Sequence, residues 1–340
     1  MSPPSCDIVH DASSGRTHCL RNFVGNSPAF LQQKERIHTF AACDAGVLIL
    51  GETGTGKEIC AQSIHYLSAR ASRPWVAVNC GAVPTELIES ELFGHVRGAF
   101  TSAQGAREGL VAEAEGGTLL LDDVDCLSLA AQAKLLRFVQ EQEYRPVGCN
   151  AVRRCDVRVI ASSNRDLHRL ALQGAFRQDL YFRLNVLTLN LPALRERSED
   201  IRALSLHFLA LFARRLGRPA AALGASALRR LMAHDWPGNV RELEHAIERA
   251  VLTFDPPVVL AEHLDLEDAQ GADPGCEPFG ESKARVVQRF ERDYLERVLA
   301  SCGGNVTRAA QLARKNRRAF FELIRKHQIE PSQFRTAGPA

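Results

Sequence analysis

Val47-Leu48-Ile49-Leu50 runs directly into Gly51-Glu52-Thr53-Gly54-Thr55-Gly56-Lys57-Glu58. A helical pattern follows, with Cys60, Ile64 and Leu67 on one face. A strand, a glycine-rich turn ending in lysine and a helix are the parts of a phosphate-binding loop. The glycines let backbone N–H groups turn inward, the helix N-terminus adds positive potential, and Lys57 supplies a cation. Glu58 stands where a Ser or Thr usually helps to bind magnesium. About 65 residues on, Gly116-Gly117-Thr118-Leu119-Leu120-Leu121-Asp122-Asp123 sets two carboxylates at the end of an apolar strand. In a parallel sheet that end lies beside the loop. Asp122 is expected to hold Mg²⁺, directly or through water. Asp123 is expected to orient and polarise an attacking water.

The loop commits this part of the chain to an α/β fold. Further apolar runs, Val76-Ala77-Val78 and Val157-Arg158-Val159-Ile160-Ala161, are separated by helical patterns. Short buried strands alternating with helices predict a parallel sheet. The expected boundaries are a poorly ordered polar tail at 1–20, an α/β part at 21–191 and a wholly helical part at 192–267. A linker is expected at 268–282, where Gly271, Pro274, Gly275, Pro278 and Gly280 break periodicity, and a third, helical module at 283–340.

At 340 residues, two or three domains are expected. Hydrophobic residues at 45% and charged residues at 24% exclude collagen-like, fully disordered and disulfide-scaffold classes. No run of about 18 uncharged apolar residues occurs, so no membrane span or membrane partner is expected. The first twenty residues lack the basic start and apolar run of a secretory signal. The ten cysteines form no CxxC and read as reduced thiols of a cytoplasmic protein. The net charge of +2 hides an asymmetry: residues 281–340 carry 13 Lys/Arg against 6 Asp/Glu, so they hold +7 and the rest −5. A basic end on an acidic body is the footprint of a nucleic-acid-binding module.

Several longer strings carry a family resemblance. They are Val78-Asn79-Cys80 followed by Glu89-Ser90-Glu91-Leu92-Phe93-Gly94-His95, then Gly98-Ala99-Phe100-Thr101-Ser102-Ala103, then Phe176-Arg177-Gln178-Asp179-Leu180-Tyr181-Phe182-Arg183-Leu184-Asn185-Val186. Leu194-Arg195-Glu196-Arg197-Ser198-Glu199-Asp200-Ile201 and Trp236-Pro237-Gly238-Asn239-Val240-Arg241-Glu242-Leu243-Glu244 complete the set. From about Phe23 to Val251, and again in its C-terminal module, the chain resembles the sigma-54-dependent transcriptional activators, the bacterial enhancer-binding proteins. The resemblance implies an AAA+ P-loop parallel-sheet domain, a helical lid and a C-terminal all-α helix-turn-helix module of Fis type. It implies ATP with Mg²⁺, bound by Gly51, Glu52, Thr53, Gly54, Thr55, Gly56, Lys57 and Glu58, with Arg241 as a lid sensor. Asn79 looks like the switch asparagine, and Ser163 and Asn164 look like the first sensor. Arg177 and Arg183 look like arginine fingers supplied by a neighbouring subunit, which implies a hexamer. Read alone, both would be surface ion-pair formers. Gly98, Ala99, Phe100, Thr101, Ser102 and Ala103 look like the loop that contacts sigma-54. An exposed Phe100 at a mobile tip would suit a transient contact.

Three positions depart from the family. Asp123 replaces a glutamate, Ser102 a glycine and Val96 a glutamate. A carboxylate set about an angstrom back can cost on the order of 100-fold in rate. Slow turnover, and work alongside a second, similar subunit, are therefore expected. About twenty residues precede the ATPase segment, so no receiver or ligand-sensing domain is expected. Control through expression level, or by a separate inhibitor protein, is expected instead.

In the C-terminal module, Phe290, Tyr294, Leu295, Val298 and Leu299 recur at helical spacing. Gly303-Gly304-Asn305 breaks that helix and supplies an N-cap. A short helix with Ala309-Ala310 follows, then a turn near Arg314-Lys315, where the family usually has Gly and an apolar residue. The second helix holds Phe320, Leu323, Ile324 and His327 on one face. Asn316, Arg317, Arg318 and Arg325 are the expected DNA-facing residues of this major-groove helix. The arginines suit phosphates or guanine edges equally.

The expected function is an ATP-dependent activator that binds enhancer DNA and remodels closed complexes of sigma-54 RNA polymerase holoenzyme. The alternative is an ATP-binding, DNA-binding regulator with weak or no turnover of its own, acting with a partner subunit. Hydrolases of other kinds are excluded: there is no GxSxG and no HExxH, and the 11 histidines are scattered.

Overall fold

The structure is a computed structural model. It describes residues 23–100, 103, 105–217, 222–254, 258–266, 291, 294, 295, 298, 299, 301–303, 305–313, 315–327 and 329. The expected tail at 1–20, the expected linker at 268–282, and Thr101, Ser102, Phe290 and Arg314 lie outside the described residues. Two compact units divide the chain, Met1–Ala269 and Gln270–Ala340.

In the first unit the apolar strings form strands β1 (Val47–Leu50), β2 (Trp75–Asn79), β3 (Thr118–Asp122) and β6 (Arg158–Ser163). A fifth strand, β7 (Leu187–Asn190), lies at the sheet edge beside β1. The order is β2-β3-β6-β1-β7, with every pair parallel. Successive side chains on a strand face opposite ways, and the core divides accordingly. Leu48, Leu119, Leu121, Val159 and Ala161 join one buried cluster. Val47, Ile49, Leu120, Ile160 and Leu189 join the other.

Helices cover both faces. α1 (Pro28–Ala41) starts at Ser27, whose hydroxyl caps Phe30 N–H. α2 (Lys57–Leu67) follows the glycine-rich loop. Then come α3 (Ile88–Phe93), α4 (Leu110–Glu113), α5 (Leu129–Glu141), α6 (Leu167–Leu172) and α7 (Gln178–Leu184). A two-residue hairpin, β4 (Glu143–Tyr144) with β5 (Arg153–Arg154), projects after α5.

Segment 192–267 is mainly helical, with α8 (Glu199–Arg215), α9 (Ala225–Ala233) and α10 (Asn239–Phe254). The expectation of a wholly helical part needs correction. Residues Ala222–Leu223 (β8) and Val258–Val259 (β9) pair as a short parallel bridge. The three helices close around Trp236, which is fully buried and donates its indole N–H to Leu231 O at 2.8 Å. Truncating such a side chain to alanine costs about 3–5 kcal/mol.

The second unit contains α11 (Val306–Leu312) and α12 (Arg317–Lys326). Ala309, Ala310, Phe320 and Ile324 share one buried cluster with Leu295, Val298 and Leu299. No helix among the described residues is long and apolar enough to cross a membrane.

Candidate functional site

The loop between β1 and α2 wraps around its own lysine. Lys57 is buried, and its ammonium donates to Gly51 O at 3.0 Å and Glu52 O at 3.3 Å. Burial lowers its pKa, and Asp122 and Asp123 act to raise it. Thr55 ties the turn with its hydroxyl on Glu52 O at 2.8 Å. Gly56 sits at φ +100°, a conformation that favours glycine, and serves as N-cap of α2. A cleft of about 210 Å³ opens above the loop, lined by Thr53, Gly54, Gly56, Lys57, Glu58 and Ile59 on this side. Asn79, Asp122, Asp123, Val240, Arg241 and Glu244 complete its wall.

The two acids sit opposite the lysine because β3 ends between β2 and β6. Asn79, at the end of β2, donates from one amide nitrogen to Asp122 Oδ2 at 3.3 Å and to Asp123 Oδ2 at 3.2 Å. Its carbonyl accepts from Gly81 and Ala82 N–H, each at 2.9 Å. Burial pushes the Asp123 carboxyl upward, the Asp122 charge adds to that, and the Asn79 bond opposes it.

The expected first-sensor residues adjoin the cleft through neighbouring side chains. Neither Ser163 nor Asn164 lines the cleft. Ser163 is buried, and its hydroxyl donates to Asp125 at 2.6 Å. Asn164 instead donates to the Thr53 hydroxyl at 3.1 Å. The hydroxyl that touches Asp122 belongs to Ser162, one residue earlier. The sequence string Ser162-Ser163-Asn164 contains all three groups but does not reveal which side chain turns to which partner.

The helical part closes on the loop through backbone. Val240 N–H donates to Gly54 O at 2.9 Å, and Arg241 N–H approaches the same oxygen at 3.4 Å. A Cβ at Gly54 would overlap the Gly238 carbonyl, and Gly54 has φ +78°. Two further cations, absent from the expected set, reach this region. Arg197 is buried, donates to Thr55 O at 3.0 Å and lies over the Phe30 ring. Arg195 forms a two-pronged pair with Glu52.

Arg177 and Arg183 do not line their own chain's cleft. Arg177 is paired with Asp179, at 2.8 Å for the closest contact. Arg183 donates to Val139 O at 3.3 Å, at the C-terminal end of α5. Gly98 and Ala103 close a small turn, with Gly98 N–H on Ala103 O at 2.9 Å and Ala103 N–H on Phe100 O at 2.9 Å. Phe100 is half-buried rather than exposed. Its ring meets that of His95 edge-on, centroids 5.0 Å apart. The stem below is a two-way backbone pair between His95 and Arg107.

In the second unit Asn305 caps α11, accepting from Thr307 and Arg308 N–H. Asn316 likewise caps α12, accepting from Arg318 N–H at 2.9 Å. Its side-chain oxygen is thereby engaged, and Asn316 starts the helix at an exposed position. Arg317, Arg318 and Arg325 are exposed, opposite buried Phe320 and Ile324. The sequence reading missed Phe321, exposed on the same outer surface.

Comparison with known proteins bears on this geometry. Residues 23–190 match the sigma-54 interaction domain, 195–276 the AAA+ ATPase lid domain, and 286–319 the Fis family of bacterial regulatory proteins. The transcriptional regulatory protein GlrR of Escherichia coli (strain K12) is 44% identical over 312 residues, covering 92% of this chain and 69% of that protein. The chain belongs to the sigma-54-dependent transcriptional activators. Another relative is the alginate biosynthesis regulator AlgB of Pseudomonas aeruginosa, 46% identical over 276 residues, covering 81% of this chain and 61% of the relative. A crystal structure of NtrX from Brucella abortus in complex with ATP aligns with TM-score 0.71 at 32% identity, covering 93% of this chain and 73% of that one. As a member of this family the chain is an AAA+ P-loop ATPase and a DNA-binding transcriptional regulator.

Proposed function

We propose that this chain hydrolyses ATP between subunits of a ring, in the cytoplasm, to remodel sigma-54 RNA polymerase bound at a promoter, while α12 holds enhancer DNA. The observation that carries this reading is the convergence of Lys57, Asn79, Asp122, Asp123 and Arg241 on one cleft. Mg²⁺ suits the donor set. Two carboxylates face the same space, and a divalent cation would relieve their repulsion. Among the described residues no three acids, histidines or cysteines converge to hold a metal by themselves. Phosphate and water oxygens would complete the shell, as Mg²⁺ prefers. Bound Mg²⁺ would neutralise charge on the phosphoryl oxygens.

The chain's own residues have distinct tasks. Gly51 to Gly56 and Lys57 hold the phosphates, and Glu58 lies at the cleft edge. Asp122 faces the cation. Asp123 orients the water that attacks the terminal phosphorus and takes up its proton as the bond to ADP breaks. Asn79 tethers both acids and so links phosphate state to the end of β2. Arg241 covers the nucleotide from the lid. Arg177 and Arg183 serve a neighbour's cleft, and the turn holding Gly98, Ala99, Phe100 and Ala103, with Thr101 and Ser102, meets sigma-54. Arg317, Arg318 and Arg325 contact DNA. The shorter acid at Asp123 favours slow turnover and work with a similar partner subunit. Control by a separate inhibitor protein fits the same reading.

The test is ATP turnover by purified protein, with Lys57→Ala as control, with and without enhancer DNA. Turnover lost in that variant and rising with protein concentration or DNA is expected. ATP binding without turnover under every condition would replace the motor with the non-hydrolysing alternative.

A further inference from the structure

The phosphate loop carries an acid of its own. Glu52 lies between Gly51 and Thr53, yet its carboxylate does not line the cleft. It is held away from that lining by two residues of the helical part. Arg195 grips it with both terminal nitrogens, at 2.5 and 2.8 Å. Asn239 donates its amide to Glu52 Oε2 at 3.1 Å and to Thr53 O at 3.0 Å. These contacts hold the Glu52 pKa at about 2, so it is charged at every physiological pH.

Asn239 is itself over-determined. It is fully buried, at φ +55° in the left-handed region, where asparagine is among the best tolerated side chains. Its amide oxygen accepts from Leu194 N–H at 2.8 Å, at the start of the turn that contains Arg195. One side chain therefore ties three segments together: the loop, the Arg195 turn and the first residue of α10.

A free carboxylate within a phosphate-binding loop would oppose the anion the loop must hold. We propose that Arg195 and Asn239 are positioning residues for nucleotide binding: they neutralise Glu52 and pin it on the lid side, so that the loop presents its N–H groups and Lys57 to phosphate without a competing negative charge. The latch also fixes Asn239 beside Val240 and Arg241, which line the cleft. Docking of the lid and electrostatic readiness of the loop are then one event. This rests on the reading of the cleft as the nucleotide site.

The test is a charge-rescue experiment on the full chain, reading KM for ATP and kcat separately, with unfolding temperature as a folding check. Arg195 is exposed, so Arg195→Ala should fold. It is expected to raise KM about tenfold, the scale of one solvent-screened charge several ångströms from a phosphate, and to alter kcat much less. Arg195→Lys, which keeps the charge, is expected to recover most of that loss. The double variant Glu52→Gln/Arg195→Ala is expected to bind ATP at least threefold better than Arg195→Ala alone, because the unpaired acid is gone. A merely structural lid contact predicts the reverse, since removing the second partner cannot restore the first. A double variant as weak as Arg195→Ala, or weaker, overturns the inference. If the unaltered chain fails to bind ATP in a Lys57-dependent way, the reading of the cleft fails first, and that result is distinguishable from a failed rescue.

Discussion

Asp123 occupies the left-handed region, at φ 53° and ψ 50°. Aspartate tolerates that conformation better than glutamate does, because its short carboxylate can satisfy nearby groups. Here it reaches the Asn79 amide. In the proposed mechanism the same shortness limits its reach toward an attacking water. Asp123→Glu therefore sets two effects against each other. The added methylene should raise kcat about tenfold, well within the range that angstrom-scale placement commands. The backbone conformation should cost about 1 kcal/mol of stability. Steady-state turnover and thermal unfolding separate them, and an unchanged or lower kcat would remove reach as the limiting factor. Lys57, Asp122 and Asp123 were legible in the sequence because they sit at fixed offsets from glycines and an apolar strand. Ser162 and Asn239 were not. Their roles depend on which neighbour the fold brings within 3 Å, and a serine beside a serine gives no such signal.

The helix α2 and the strand β3 meet at a buried histidine. His65 is fully enclosed, with Nδ1 2.9 Å from the Thr118 hydroxyl. Burial, assisted by the Arg158 charge, depresses its pKa from 6.5 to about 4. The folded chain thus keeps His65 neutral where the unfolded chain would protonate it. Stability should fall as pH drops from 6.5 toward 4, by about 3 kcal/mol in all, and change no further from this group below that. His65→Gln should flatten the stability–pH curve in that window. An equal slope in both proteins, measured by denaturant unfolding at each pH, would show that other groups govern it. Element by element, legibility followed length and burial. β1, β2, β3 and β6 announced themselves as apolar runs. β7 did not, because Leu189 is its one fully buried residue. β4, β5, β8 and β9, at two residues each, are too short to show any period. α12 was legible from the stripe of Phe320 and Ile324, which recurs at one helical turn.

At the scale of the whole molecule, the proposed mechanism asks for one component that the described lining of the cleft does not supply. Its lining cations are Lys57 and Arg241, while Arg177 and Arg183 rest on Asp179 and on carbonyls of α5. A phosphoryl transfer site gains much of its rate from an additional arginine, and a ring can supply it from the next subunit. That arrangement makes a quantitative prediction for mixed assemblies. Lys57→Ala cannot hold nucleotide but still offers Arg177 to its neighbour. Arg177→Ala holds nucleotide but offers nothing. Each alone should be almost inactive. Co-expressed in equal amounts, with copurification of two tags proving mixed assembly, they complete a cleft wherever an Arg177→Ala subunit receives its arginine from a Lys57→Ala neighbour. With random placement about a quarter of the interfaces qualify, so turnover should recover toward that fraction of the unaltered protein. If Arg177 served its own chain's cleft, every subunit would lack one of the two groups, and no mixture could recover activity. Mixed assemblies that stay inactive would leave Arg177 as the partner of Asp179 and remove it from the reaction.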